Sequence, residues 1–120
     1  KGRDQYAVSC GACHQADGNG LPHMAPTLAK SDWVTGDARR LIGVAVHGLM
    51  GPIKVNGKPV EGIPPIMPPH GFMKDDQLAD ILTYIRNAWG NRAGLISNDD
   101  IAGYRKTELT RVTPWTEAEF

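Results

Sequence analysis

The stretch Cys10-Gly11-Ala12-Cys13-His14 determines how the rest of this 120-residue chain is interpreted. Two cysteines separated by two residues and followed at once by histidine form the signature of a c-type haem attachment site. Each thiol can form a thioether with a haem vinyl group, while the adjacent imidazole binds the iron from one face. We therefore expect one covalently attached haem c, held by Cys10 and Cys13 and ligated by His14.

Three other kinds of site also use closely spaced cysteines. A thioredoxin-like pair follows an apolar strand, whereas the segment Lys1–Ser9 is short and polar. A structural zinc site needs four ligands, usually with a second Cys or His pair at metal spacing. The sequence contains no further cysteine, and its remaining histidines stand singly. A disulfide between the two cysteines would leave the adjacent histidine without a role, so haem attachment is favoured over all three.

Length, charge and hydropathy restrict the class of protein. The formal net charge is zero, which gives no field that would favour nucleic acid or a membrane surface as a partner. No apolar run approaches the length of a membrane span, so we expect no membrane-spanning segment. No signal peptide is recognisable, which suits a mature or excised segment. Because haem is normally attached outside the cytoplasmic membrane, we expect a periplasmic or otherwise exported protein.

The pattern of apolar residues predicts an all-α domain with four or five short helices packed around one covalent haem. The clearest helix follows Lys74, because five apolar residues recur there on one face at helical spacing. Asn56-Gly57 suits the type I′ turn of a small hairpin near the haem edge. We expect a haem domain over residues 1–94 and a C-terminal helical extension over 95–120, packed on the same domain. In chain order the predicted elements are helices over 2–13 and 37–47, a hairpin over 52–60, and helices over 75–89 and 97–106.

The second iron ligand is predicted to be Met67. Methionine is a soft, neutral donor, and opposite histidine it raises the reduction potential of a haem. Four prolines flank Met67 in the segment 61–72 and restrict its backbone, so a sulfur there would be held with little freedom to move. Met73 is the next candidate. The remaining alternatives, of which the histidines would give a lower potential, are Met24, Met50, His47 and His70.

From about residue 2 to residue 90 the chain resembles the class I cytochrome c family, in particular bacterial monohaem domains. Its later stretches look like domains that occur alone or fused to periplasmic dehydrogenases and copper oxidoreductases. The resemblance implies thioethers on the two cysteines, His14 and Met67 as axial ligands, and a Pro26 carbonyl that accepts the Nδ1–H of the histidine. It rests on the attachment motif and on Ala25-Pro-Thr-Leu28, Gly51-Pro-Ile-Lys-Val-Asn-Gly57, Met67-Pro-Pro-His-Gly-Phe72 and Leu82-Thr-Tyr-Ile-Arg-Asn-Ala-Trp-Gly90.

The resemblance also suggests groups that would neutralise buried haem propionates. Trp33, Arg39 and Arg40 are the candidate hydrogen-bond donors for this purpose. One departure from the family pattern is Lys74, which stands where a capping serine is common and leaves Asp75 to cap the following helix. Met73 stands where leucine is common, so the choice of methionine stays open on this ground.

These observations favour a one-electron carrier with His/Met-ligated haem c, and not an enzyme, because no acid–base or nucleophile constellation is visible. Expected partners are redox proteins: a dehydrogenase, a reductase or a terminal oxidase. One alternative is a haem enzyme or gas sensor whose distal position is open or displaceable. Another is an electron-entry domain excised from a larger oxidoreductase. Dimerisation through the C-terminal extension, with Trp115 and Phe120 as contact residues, is a further possibility.

Overall fold

A computed structural model describes residues 2–62 and 66–120 of the chain. Within these ranges the fold is mostly helical, with two short two-stranded ladders, which confirms the predicted all-α class. The helices are α1 (Gly2–Ser9), α2 (Gly11–His14), α3 (Asp32–Thr35), α4 (Ala38–His47), α5 (Asp75–Asn87) and α6 (Asn98–Thr107), followed by a 3₁₀ turn at Glu117–Glu119. The strands are β1 (Leu49–Met50), β2 (Lys54–Val55), β3 (Lys58–Pro59) and β4 (Ile66–Met67).

The two ladders have different origins. Strands β2 and β3 form the predicted hairpin, with Asn56 and Gly57 both at positive φ, as a type I′ turn requires. Strands β1 and β4 pair antiparallel and place Leu49 opposite Met67. The sequence did not predict this second ladder, because strands of two residues have no readable period.

The prediction of a single first helix over residues 2–13 is wrong, because the structure has two helices there. Cys10 lies outside helical geometry, with φ −125° and ψ −25°, so that α1 ends at Ser9 and α2 begins at Gly11. The short helix α3 was not predicted either. Its N-terminus is capped by the Ser31 hydroxyl, which accepts the backbone N–H of Trp33.

The start of α5 also differs from expectation. Asp75 is the first helical residue and not the cap, and Lys74 occupies the N-cap position. The Lys74 N–H donates to the side-chain oxygen of Gln77 at 3.0 Å, and the Gln77 N–H, which a capping serine would accept, donates to the Asp76 carboxylate at 2.9 Å. Asp75 instead accepts a hydrogen bond from Arg105 of α6. The helix then ends at Asn87, two residues before the predicted end, because Trp89 has a positive φ.

The helices pack around a core that includes residues of α1, α4, α5 and α6. Tyr6 of α1 is 1% exposed, and its ring lies 5.6 Å from that of Tyr84 and 5.2 Å from that of Trp89. The buried guanidinium of Arg86 donates to the carbonyls of Val34, Gly36 and Gly94, which joins α3 and the segment after α5. In the two described ranges, no helix is both long enough and apolar enough to cross a membrane. This packing fixes the helices around an apolar cavity.

Candidate haem-binding site

An apolar cavity lies between the attachment motif and the loop of Met67. Cys10, Cys13 and His14 line it from the N-terminal part of the chain, and Met67 lines it from β4. About 1360 Å³ within it is unfilled by protein atoms, part of this volume being open to solvent. Most of the other lining residues are aliphatic, such as Leu41 of α4. A cavity of this size with mostly apolar walls and a few polar groups is typical of a site for a largely apolar ligand or cofactor.

His14 is held in one orientation and in its neutral form. The side chain is buried, and its Nδ1 lies 3.0 Å from the carbonyl oxygen of Pro26. Since a carbonyl can only accept, Nδ1 carries the hydrogen and Nε2 keeps a free lone pair. Burial lowers the pKa of His14, and the hydrogen bond to Pro26 opposes this only in part. A neutral imidazole with a free Nε2 is the form that binds a metal.

The two cysteines form no disulfide with each other. Cys10 is half-buried and Cys13 is exposed. Burial and, to a smaller extent, the neighbouring Cys13 raise the pKa of the Cys10 thiol to about 11. Two unpaired thiols at the wall of one cavity, beside a neutral histidine, are the donor set that thioether attachment of haem requires.

Four side chains besides His14 line the cavity and carry a donor atom suited to the second axial position. They are Met24, Met67, Met73 and His70. The other two alternatives from the sequence, Met50 and His47, do not line it. Met67 packs against the buried side chains of Trp33, Val44 and Leu49, whereas Met73 packs against the main core.

The backbone around Met67 is fixed from the side of α4. A Cβ atom on Gly48 would lie 2.5 Å from the Met67 carbonyl oxygen, and the Leu49–Met67 pair of the ladder begins at the next residue. The N–H of His70 donates to the carbonyl of Ala45 at 2.8 Å. Pro68 and Pro69 follow Met67 directly; the other two prolines of the segment, Pro64 and Pro65, lie outside the described residues.

All three expected propionate donors have partners within the chain, and that of Arg40 is the Asp32 carbonyl, which accepts from Nη2 at 2.9 Å. The indole N–H of Trp33 donates to the Lys54 carbonyl at 2.7 Å, and Arg39 pairs with Glu108 at 3.1 Å. The role of Trp33 and Arg39 at the haem propionates therefore stays a prediction. Arg40 stacks on the ring of Trp33, 4.3 Å from its centroid. The Nε–H of Arg40 is buried and has no acceptor in the part of the chain that the structure describes, so this residue keeps a donor for a carboxylate.

His47, the last residue of α4, is hydrogen-bonded to residues of the C-terminal extension that the sequence did not indicate. His47 Nδ1 lies 2.7 Å from the hydroxyl of Tyr104, and the same hydroxyl accepts the indole N–H of Trp115 at 2.7 Å. With the indole already donating to its oxygen, Tyr104 can donate its own hydrogen to His47 when that imidazole is neutral. Burial lowers the pKa of His47, a hydrogen bond to the Arg111 backbone raises it, and the Arg111 charge lowers it again.

This shift predicts a loss of stability in weak acid. His47 has a lower pKa folded than unfolded, so the unfolded chain binds more protons below its ordinary value of 6.5. The free energy of unfolding is therefore undiminished above pH 6.5 and falls as the pH drops below it. We expect His47→Gln, which cannot titrate, to flatten this dependence in urea titrations from about pH 7 to about pH 5. An unchanged slope in the variant would contradict the prediction.

The donor set and the cavity together define the class of protein. Among residues 2–62 and 66–120, no cluster of three or more His, Cys, Asp or Glu side chains could hold a metal ion, so nothing there supports a zinc site. A helical fold around an apolar cavity walled by Cys-X-X-Cys-His is that of a c-type cytochrome. The chain belongs to the cytochrome c family, whose model, described as Cytochrome c, matches residues 1–89. Its cofactor is haem c, and it is an electron carrier.

Several relatives are cytochromes or cytochrome subunits of dehydrogenases. The cytochrome c subunit of alcohol dehydrogenase (quinone) from Gluconacetobacter polyoxogenes is 33% identical over 88% of this chain and 22% of its own length. The cytochrome c subunit of gluconate 2-dehydrogenase from Pantoea cypripedii is 34% identical over 92% of this chain and 25% of its own. Cytochrome c-552 from Thermus thermophilus is 36% identical over 70% of this chain and 65% of its own. The chain thus spans about a quarter or less of the two dehydrogenase subunits.

Proposed function

We propose that the chain is an exported one-electron carrier whose haem c is ligated by His14 and Met67 and serves a dehydrogenase as redox partner. One observation carries this proposal. The two attachment cysteines, a neutral imidazole and the Met67 thioether all line the same apolar cavity. We also propose that residues 95–120 belong to the same domain as residues 1–94, because Ile101 and Tyr104 of α6 are buried in the main core.

Each residue has a distinct part in this function. Cys10 and Cys13 would hold the haem covalently, and His14 would bind the iron through Nε2 with its ring oriented by Pro26. Met67 would occupy the opposite axial position. When bound, haem c supplies the one-electron chemistry of its iron. The chain contributes a ligand at each axial position, which leaves no open site for a substrate, and apolar walls that exclude water.

The relatives support a dehydrogenase as the partner, and the attachment motif supports export, because haem is normally attached outside the cytoplasmic membrane. Two of them are named as cytochrome c subunits of dehydrogenases, and each aligns with nearly the whole of this chain. Because the chain corresponds to only 22–25% of those subunits, the same comparison favours a second interpretation, an electron-transfer domain of a longer oxidoreductase. The two interpretations differ in partner and not in chemistry. Dimerisation stays a prediction; the rings of Trp115 and Phe120 lie 5.0 Å apart and contact each other within the chain.

Replacing Met67 tests the ligand assignment. We expect Met67→Ala to lose the weak red charge-transfer band of iron–sulfur ligation in the oxidised protein. Its reduction potential should fall by on the order of 0.1 V, a part of the roughly 0.8 V range over which axial ligands set haem potentials. Optical spectra and a redox titration measure both effects.

Met73→Ala is the matched control, because Met73 also lines the cavity but packs on the main core. It should keep the band and the potential. Loss of the band in Met73→Ala alone would assign the ligand to Met73. Carbon monoxide that binds the reduced wild-type protein tightly at neutral pH, without unfolding, would favour the gas-sensor or enzyme alternative.

A further inference from the structure

We propose that the C-terminal extension, residues 95–120, positions the segment that carries Met67, so that its contacts control how readily an external ligand displaces that methionine. The inference rests on the proposed role of Met67. The extension lies beyond residues 1–89 that the family model matches. It contacts the Met67 segment, defined as residues 66–75, directly through Arg105, and indirectly through Trp115, which pairs with the strand β1 that in turn pairs with β4.

Arg105 holds the C-terminal end of the Met67 segment. Its Nη1 donates to the Gly71 carbonyl at 2.9 Å, its Nη2 to the Met73 carbonyl at 2.6 Å, and its Nε to the Asp75 carboxylate at 2.7 Å. The guanidinium is planar and presents its donors in a fixed arrangement, so three acceptors in one segment set its conformation as well as its distance. Arg105 belongs to α6, whose Tyr104 is 2% exposed, so the anchor itself is fixed in the core.

Trp115 supports the N-terminal end of the Met67 segment indirectly, through backbone hydrogen bonds to β1 and to Gly48. Its N–H donates to the Gly48 carbonyl at 3.0 Å, and its carbonyl accepts the N–H of Met50 at 2.8 Å. These bonds form a parallel bridge to Leu49, which pairs on its other side with Met67. The order across the ladder is therefore Met67, Leu49 and Trp115. A chain segment on the second edge of β1 limits its movement, and with it the movement of β4.

The Trp115 segment is itself tied down by side chains. The guanidinium of Arg111 lies 3.4 Å from the centroid of the Trp115 ring and binds Glu119 at 2.9 Å. The indole N–H of Trp115 donates to the hydroxyl of Tyr104 in α6. Glu117 accepts the backbone N–H of Lys54 at 2.8 Å. Trp115 and Arg105, the two contact points of the extension, are thus connected through α6. We expect a substitution at one of them to alter the contacts of the other.

A purely stabilising extension would make a different prediction. Removal of any contact would then lower the free energy of unfolding, with no separate effect at the haem. Glu108 offers a matched comparison, because this residue of the extension pairs with Arg39 and, within the described residues, makes no side-chain hydrogen bond to the Met67 segment. Arg105→Gln and Glu108→Gln each remove one charge and one ion pair, but only the first releases the Gly71 and Met73 carbonyls.

The test is an imidazole titration of the oxidised haem-loaded protein, followed optically, with thermal unfolding of the same samples. An external ligand binds in proportion to the fraction of molecules in which methionine has left the iron. We expect Arg105→Gln to bind imidazole about tenfold or more tightly than wild type, since hydrogen bonds to a charged group are lost from the methionine-bound state. Glu108→Gln should stay within about twofold, as for a surface ion pair.

The two measurements together distinguish a positioning role of the extension from a purely stabilising one. Equal imidazole affinities in both variants, with equal losses of thermal stability, would overturn the positioning role while leaving Met67 ligation intact. Retention of the red band in Met67→Ala would instead overturn the proposed function. If Arg105→Gln does not fold, Arg105→Lys gives the same comparison, because it keeps the charge but loses the planar set of donors.

Discussion

With serine at both attachment positions, Cys10→Ser and Cys13→Ser, the protein is expected to retain no haem after denaturation and to lose most of its stable tertiary structure. A chain of 120 residues has a small core, and much of the apolar wall of this one faces the cavity. Without the group that fills the cavity, these aliphatic side chains face water. The free energy of unfolding should fall by several kcal/mol, a large part of what a domain of this size has.

Haem staining after denaturing electrophoresis measures attachment, and circular dichroism during urea unfolding measures stability. The single variant Cys13→Ser is the control, because it keeps the half-buried Cys10 and one thioether. It should keep stain and fold with reduced stability. Haem that stays attached to the double variant through denaturation would show that neither cysteine is the attachment residue.

Alanine at Gly48 is expected to give the second large effect. Gly48 has φ 86° and ψ 178°, a backbone conformation that is essentially restricted to glycine. A Cβ atom there would also lie 2.5 Å from the Met67 carbonyl oxygen and 3.1 Å from the Pro69 nitrogen, so the Met67 segment would have to move. Backbone strain and steric overlap together should lower the free energy of unfolding by roughly 3 kcal/mol or more. The red iron–sulfur band should weaken at the same time.

Gly57→Ala separates the two causes. Gly57 also has a positive φ, of 81°, but it does not line the cavity and a Cβ atom there would meet nothing within 4 Å. This variant should lose only about 1 kcal/mol, from strain alone, and keep its band. Equal losses in urea unfolding for the two alanine variants would contradict the steric part of the argument.

The sequence predicted those parts of the molecule whose signals are local. The attachment motif places all its chemistry within five residues, and the apolar face of α5 repeats at helical spacing over its length. Asn56-Gly57 identifies its own turn type. The hydrogen bond from His14 to the Pro26 carbonyl was predicted only from the family resemblance. No feature of the neighbouring sequence indicates that this carbonyl lies 3.0 Å from a histidine twelve residues earlier.

The remaining features depend on residues far apart in the chain. Arg105 and Gly71, or Trp115 and Gly48, meet only when α6 has packed on α4 and α5. No sequence period or motif connects such pairs. In the sequence alone, an arginine or a tryptophan in the extension is equally compatible with a position on the solvated surface. Trp33 is a further case: no sequence pattern indicated that its indole N–H donates to the hairpin carbonyl of Lys54, and its expected role at a propionate stays a prediction.

The three-segment arrangement of Met67, Leu49 and Trp115 has a consequence for biogenesis. A chain made from its N-terminus presents the attachment cysteines long before Trp115, so the two faces of the haem are completed at different times. Contacts so distant in sequence also form slowly. We therefore expect covalent attachment at Cys10 and Cys13 to precede the pairing of Leu49 with Trp115, and with it the proposed ligation of the iron by Met67.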